Sequence, residues 1–268
     1  MTIPFAQADS KTRVVAIASG KGGVGKSSVT ANLAVALARQ GKEVGILDAD
    51  IWGYSIPRMM GAEGRPVAFE GMVMPLQAHG VKLISIGFFT DPDRSVIWRG
   101  PMLHRALQQF LADVYWGDLD FLLMDLPPGT GDVAISLAQM LPNAEMLVVT
   151  TPQPAAQKVA LRAGKATEET GMSVAGVIEN MTGFTDPATG TVHEIFGSGG
   201  GQLLADELGT KLLARIPIDP RLRAGSDEGV PIVAAEPQAP ASVEITKVAD
   251  DIIARANSVI GRSLPLSV

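Results

Sequence analysis

GKGGVGKSS, from Gly20 to Ser28, is the stretch on which the reading of this chain turns. Gly20 to Ser27 satisfies the spacing GxxxxGK[ST], with the apolar run VVAIA (Val14 to Ala18) just before it and the helical pattern SSVTANLAVALARQG just after. Strand, glycine loop and helix in that order make a phosphate-binding loop. The glycines let the backbone curl until successive amides point inward, and the helix N-terminus adds partial positive charge at the same place. Gly20, Gly22, Gly23, Val24 and Gly25 then supply the loop, Lys26 bridges the terminal phosphates, the Ser27 hydroxyl ligates Mg²⁺, and Ser28 completes the set. A second lysine, Lys21, has no role in this spacing; by residue type alone it is a solvated surface charge.

Outward from the loop, apolar runs rich in Val, Ile and Leu alternate with longer helical patterns, the rhythm of crossover units in a parallel sheet. Strands are expected at Val14 to Ala18, Val44 to Asp48, Val81 to Ile86, Phe121 to Asp125, Met146 to Thr150, Val174 to Glu179 and Leu212 to Ile216. The first helix stops at Gly41, which suits a left-handed cap, and further helices fit Pro101 to Val114, Gly131 to Leu141, Pro154 to Thr170, Gly200 to Leu208 and Ser242 to Ser258. The fold class is α/β, a doubly wound, mostly parallel sheet carrying the P-loop NTPase arrangement. Gly61 to Gly80 is a glycine- and proline-punctuated excursion, irregular or hairpin.

The chain of 268 residues fits one P-loop domain over 12–262, between a flexible or linker-derived segment at 1–11 and a short tail at 263–268. A 46% hydrophobic and 19% charged composition supports a large core. The net charge of −6 argues against a broad basic surface for nucleic acid or anionic membrane. No cysteine is present, so disulfides, zinc thiolate sites and clusters ligated by this chain's own cysteines are excluded. MTIPFAQADSKTR has no signal-peptide pattern, and no apolar run reaches the roughly 18 residues of a membrane span, so a cytoplasmic location is expected.

Asp48 ends one strand in LDADIWG with Asp50 two residues on, and Asp125 ends another in FLLMD before LPPGTGD. An Asp at the carboxyl end of a strand beside a phosphate loop lies where an open α/β sheet binds ligands and where a Mg²⁺ shell is completed. Each of these residues alone is equally a helix cap.

SGKGGVGKSSVTANLAVALARQGKEVGILDADIWG resembles the deviant Walker A loop of the SIMIBI-type ATPases that include the nitrogenase iron protein, the septum-site regulator MinD and the partition protein ParA. The resemblance implies that Lys21 reaches across a homodimer to the partner's nucleotide, as an arginine finger does elsewhere. It places Asp48 and Asp125 in the Mg²⁺ shell, partly through water, and has Asp50 orient or deprotonate the attacking water. Pro127, Pro128, Gly129, Thr130, Gly131 and Asp132 become a switch loop that senses the terminal phosphate. Asn180 would bond the adenine edge, Pro217 pack on its face, and Asp219 add a further contact.

DADIWGYSIPRMMG, VIWRGPMLHRALQQFL, LDFLLMDLPPGTGDVAISLAQ and HEIFGSGGG together resemble the Mrp and ApbC branch, implicated in carrying iron–sulfur clusters. That branch implies ATP and Mg²⁺ as ligands, a homodimer, and assembly or apo-client proteins as partners. Many members place a CxxC pair, holding a cluster between two subunits, where this chain reads GFTDPATGTVHEIFG. Asp186 and Thr189 stand about where the cysteines would be, neither replaces a thiolate, and DPATG has the chemistry of a turn. His193 is a lone imidazole, more often a surface residue than an iron ligand. The alternative output is a MinD- or ParA-like dimerisation switch without a cluster. The terminal helix SVEITKVADDIIARANSVI, with Asp250 and Asp251 and an apolar stripe through Val248, Ile252 and Val259, suits docking on its own sheet better than a membrane. Trp116 and WRGP (Trp98 to Pro101) offer either a partner surface or, more usually for aromatics near helices, core.

Overall fold

The computed structural model describes residues 2–7, 9–50, 53–89, 100–129, 131–153, 160–161 and 172–259, with backbone only at 100–101, 131–132, 134 and 257–259. The first elements are β1 (Arg13–Ser19), α1 (Lys26–Arg39), β2 (Val44–Asp48) and the one-turn α2 (Ile56–Met59). β3 (Val67–Phe69), β4 (Met72–Met74), β5 (Leu76–Ala78) and β6 (Val81–Ser85) follow, then α3 (Gly100–Ala112), β7 (Phe121–Asp125), α4 (Gly131–Met140), β8 (Glu145–Thr150) and β9 (Ser173–Asn180). β10 (Phe184–Thr185) and β11 (Val192–His193) precede α5 (Gly200–Glu207), β12 (Leu212–Ile216), α6 (Pro220–Glu228), α7 (Ile232–Ala235) and α8 (Pro240–Val259).

Eight strands form one sheet in the order β12-β9-β8-β1-β7-β2-β6-β5. Every pairing in it is parallel except β5 with β6. The pleat sends alternate side chains of a strand to opposite faces. Ala16, Leu47, Met124 and Val148 therefore join one core with Leu107, Leu111 and Leu137 of α3 and α4. Ile17, Ile46, Leu123 and Val149 join the other with Leu33 and Leu37 of α1 and Ile245 and Ile252 of α8. Burial on both faces is why these strands are continuously apolar, as the doubly wound expectation required.

Gly41 ends α1 as expected: at φ +76° its N–H donates to Ala38 O (3.0 Å) and the next N–H, of Lys42, to Leu37 O (3.3 Å). The terminal helix docks on its own molecule, with Val248 and Ile252 buried beside α1 and Arg255 Nη1 bonded to Ala175 O at 2.6 Å. Trp116 is core, its Nε1 donating to Phe110 O at 2.9 Å.

Other expectations need correction. The segment expected to be a flexible tail or a linker remnant carries Ile3 and Phe5 into the core, at 8% and 6% exposure, through a short turn at Pro4–Ala6. Two apolar side chains in six residues were enough to anchor a stretch with no periodicity. The strand at Val81 stops at Ser85, and Ile86 opens a 3₁₀ turn to Phe89. The glycine-rich excursion does hold a hairpin, β3–β4, as one of its two expected forms, and adds the sheet-edge strand β5. α6 was not anticipated because PRLRAGSDE has no apolar stripe and no buried residue. It forms on end signals instead: Asp219 as N-cap, Pro220 in the first turn, and Gly229 left-handed after the last. The helix expected over Pro154 to Thr170 lies outside the described residues except at Ala160 and Leu161, which are helical; Trp98 and the tail at 263–268 lie outside them altogether.

Candidate functional site

β1 has β8 on one side and β7 on the other, so the chain leaving its carboxyl end does so at the point where the strand order reverses. An open α/β sheet has its crevice there. Gly20 is buried just past β1, and Gly23 and Gly25 take the left-handed φ of 78° and 83° that the loop needs. Lys21, Gly22, Gly23, Val24, Gly25, Lys26, Ser27 and Ser28 line a cleft of about 370 Å³, together with Asp50, Gly53, Ser55, Met59 and Pro128. The loop is braced from beneath, because Asn180 at the end of β9 donates from Nδ2 to Val24 O at 2.9 Å. The bracing is tight: a Cβ on Gly25 would fall 2.2 Å from that nitrogen.

Lys26 opens α1 and is 5% exposed. Its Nζ lies 2.8 Å from Asp125 Oδ2, 3.8 Å from Asp50 Oδ2 and 3.5 Å from Ser27 Oγ. Ser27 Oγ in turn donates to Asp125 Oδ2 at 2.6 Å. Lys21 points elsewhere, its Nζ donating to Gln153 Oε1 at 2.8 Å while its carbonyl accepts from Ser19 Oγ at 3.1 Å.

The acidic residues meet because β2 and β7 are neighbours with Asp48 opposite Asp125. Both are fully buried, whereas Asp50 is 7% exposed and on the cleft wall. Asp48 Oδ1 accepts the Asp50 N–H at 3.1 Å and Oδ2 accepts the Ser85 hydroxyl at 3.0 Å. Burial, and next the neighbouring Asp125 carboxylate, push the Asp48 carboxyl up to about 8 against the opposing pull of Ser85, the Asp50 amide and Lys26. Asp50 Oδ1 accepts the Gly53 N–H at 3.1 Å.

Of the expected switch loop, Pro128 lies on the cleft wall and Gly129, at φ +94°, donates its N–H to Ser19 O at 2.9 Å. Pro127 is half-buried, Gly131 and Asp132 open α4, and Thr130 and the Asp132 side chain lie outside the described residues. Asn180 sits opposite Ile216 in the β9–β12 pairing, which brings Pro217 and Asp219 to the same edge of the sheet. Asp219 is engaged locally: Oδ1 accepts Arg221 N and Nε at 3.0 and 2.9 Å, and Oδ2 accepts Arg221 Nη2 at 2.8 Å.

Sequence reasoning missed Thr30, Ser85 and Gln153, which hold Asp125, Asp48 and Lys21. Only Thr30 left a signal, as a β-branched hydroxyl one helical turn beyond the loop lysine.

DPATG forms the turn its chemistry suggested, closing the β10–β11 hairpin. Asp186 O accepts the Gly190 N–H and Asp186 Oδ1 the Ala188 N–H, both at 2.8 Å, and that amide holds the exposed carboxyl below the usual carboxylate range. His193 is exposed on β11. Among the described residues no group of three or more His, Cys, Asp or Glu side chains is placed to hold a metal ion, and no helix is long and apolar enough to cross a membrane.

A parallel sheet that delivers a glycine loop with an extra early lysine, beside strand-end aspartates, defines a P-loop NTPase of the MinD and ParA type. The chain belongs to the ParA family described as NUBPL iron-transfer P-loop NTPase, whose model matches residues 10–253. It is similar to the iron-sulfur cluster carrier protein of Mycobacterium tuberculosis (strain ATCC 25618 / H37Rv), 58% identical over 98% of this chain and 71% of the relative. Among solved structures it is similar to a nucleotide-binding protein in complex with ADP from Archaeoglobus fulgidus, with a TM-score of 0.71 and 39% identity over 81% of this chain and 86% of that one. The septum site-determining protein MinD of Pyrococcus horikoshii OT3, complexed with Mg-ADP, matches with a TM-score of 0.68 and 25% identity over 94% of this chain and 100% of the other. The resemblance and the fold class expected from the glycine loop are both borne out.

Proposed function

We propose that this chain is a Mg²⁺-dependent ATPase that works as a cytoplasmic homodimer and serves iron–sulfur cluster carriage or delivery to apoproteins. The observation that carries the ATPase reading is Lys26, buried in the glycine-loop cleft within 4 Å of both Asp125 and Asp50. A lysine so placed can turn from carboxylates to phosphates without leaving the cleft. Two carboxyl groups, of Asp125 and Asp50, share this one buried ammonium, an acidic excess that a cation offsets. The donors beside it are all oxygen, the Ser27 hydroxyl and the Asp125 carboxylate, a set that suits Mg²⁺. When bound, Mg²⁺ supplies charge neutralisation on the phosphate oxygens.

The chain's own residues do the rest. Loop amides and Lys26 hold the phosphates, and Asp50 on the cleft wall orients the attacking water or takes its proton as the terminal phosphate leaves. Asp48 holds the Asp50 amide and would help Ser27 and Asp125 to hold the metal. Lys21 leaves Gln153 for the phosphates bound by a second copy, so ATP closes the dimer and hydrolysis, sensed by Pro127 to Asp132, reopens it. Asn180, Pro217 and Asp219 gather on the adenine side.

Cluster carriage is supported by the 58% identity to a protein of that name. One observation favours the second reading, a dimerisation switch that recruits partners without a cluster: the hairpin at Asp186 is a closed turn in a chain without cysteine. Anaerobic reconstitution with iron and sulfide separates them, read by visible charge-transfer absorption and bound iron per dimer. A bound cluster supports carriage; none, with normal ATPase activity, overturns carriage by this chain alone.

A further inference from the structure

Thr30 stands one turn past Lys26 on α1 and is fully buried. Its Oγ1 lies 2.9 Å from Asp125 Oδ1 and 3.0 Å from the carbonyl of Lys26. A hydroxyl has one proton to give. The carbonyl already belongs to the helical ladder, and a carboxylate paired with an ammonium is the stronger acceptor, so the proton goes to Asp125. The other oxygen of that carboxylate, Oδ2, takes the Ser27 hydroxyl and Lys26 Nζ.

The two oxygens thus have separate duties. An Asp carboxyl has two equivalent oxygens on a broad, roughly two-fold torsion, so burial alone does not fix the plane in which they lie. A buried oxygen left without a donor is costly, and the Thr30 hydroxyl removes that cost only when the carboxyl plane points one oxygen at Thr30 and the other at Ser27. That plane keeps the second oxygen beside the Ser27 hydroxyl and the loop lysine. The same side chain ties the first turn of α1 to the end of β7, across 95 positions of sequence.

We infer that Thr30 is a positioning residue for Asp125, fixing the carboxylate orientation that sets the coupling between Mg²⁺ and nucleotide. The inference rests on the assignment of Ser27 and Asp125 to Mg²⁺ made above. It concerns the metal's contribution and leaves loop binding of the phosphates untouched, since Thr30 does not line the cleft.

The test compares the affinity of the full chain for a fluorescent ATP analogue in saturating Mg²⁺ and in excess EDTA, the ratio being the metal coupling. Thr30→Val keeps the shape and removes the hydroxyl; the ratio falls about ten-fold, as for loss of one hydrogen bond to a charged group, with the EDTA affinity within about two-fold of wild type. Thr30→Ser keeps the hydroxyl and the wild-type ratio. If Thr30→Val does not fold, Thr30→Ala is read in the same way. A Mg²⁺-dependent wild type matched by the hydroxyl-free variant, or a ratio lost equally in Thr30→Ser, overturns the assignment of Thr30. A wild-type chain indifferent to Mg²⁺ overturns the underlying reading and this inference with it.

Discussion

Lys21 donates from Nζ to Oε1 of Gln153 at 2.8 Å, so the lysine that the loop spacing leaves unused is held by its own subunit. Service to a second copy requires that bond to break. Lys21→Ala should bind ATP within about two-fold of wild type but lose ATP-dependent dimerisation, with hydrolysis down by about 10³ or more, the scale of a lost trans cation. Gln153→Ala should tighten dimerisation by about five-fold, the worth of roughly 1 kcal/mol of hydrogen bond no longer opposed. Light scattering with and without ATP, beside phosphate release, measures both. Wild-type dimerisation and turnover in Lys21→Ala would return that residue to an ordinary surface charge.

Lys26 and Asp50 should separate binding from chemistry. Asp50→Ala is expected to retain ATP, stop hydrolysis and accumulate the ATP-bound dimer. Lys26→Ala should lose ATP binding and also stability, by about 3 to 5 kcal/mol, because it leaves Asp125 buried without its cation. Denaturant unfolding and phosphate release check the pair. Hydrolysis surviving in both variants would overturn the mechanism.

Gly25 tests how tightly Asn180 braces the loop. Gly25→Ala places a Cβ in a left-handed backbone and 2.2 Å from Asn180 Nδ2, so it should lose about 2 kcal/mol or more and most ATP affinity. Gly41→Ala has the same backbone demand, φ +76°, with nothing within 4 Å, and should cost only about 1 kcal/mol. Equal losses in the two would mean that the packing under the loop contributes nothing.

Asp48 gives a pH dependence of known sign. Its carboxyl is pushed up to about 8 from 3.8, mainly by burial, so between those values the native chain binds a proton the unfolded chain has released. The contribution to stability is full below 3.8 and is lost as pH rises through 8. In EDTA and without nucleotide, the wild-type melting temperature should fall relative to that of Asp48→Asn between about pH 4 and pH 8 and level off above that. Parallel profiles for the two proteins would remove Asp48 as the source.

Most of the sheet was legible because parallel strands buried on both faces are continuously apolar, and glycine and proline punctuate the turns between them. β12 runs from Leu212 to Ile216 and β7 from Phe121 to Asp125, as the apolar runs indicated. α6 was illegible to the same method because nothing on it is buried, and the Ile3 and Phe5 anchor because two side chains make no period. At the site, spacing identified Lys26, Ser27 and the strand-end aspartates as neighbours of one loop. It did not show that Asp48 and Asp125 stand withdrawn from the cleft while Asp50 forms its wall.

What the sequence by itself determined is whatever contiguous residues dictate: a glycine loop between strand and helix, the α/β rhythm, the turn in DPATG and the absence of any thiolate. What only the tertiary structure decided are the partnerships between distant positions. Thr30 meets Asp125 across 95 positions, Ser85 meets Asp48 across 37, Gln153 meets Lys21 across 132 and Asn180 meets Val24 across 156. Each depends on which strand lies beside which. Strand order is set by the packing of whole faces, so no local spacing carries it.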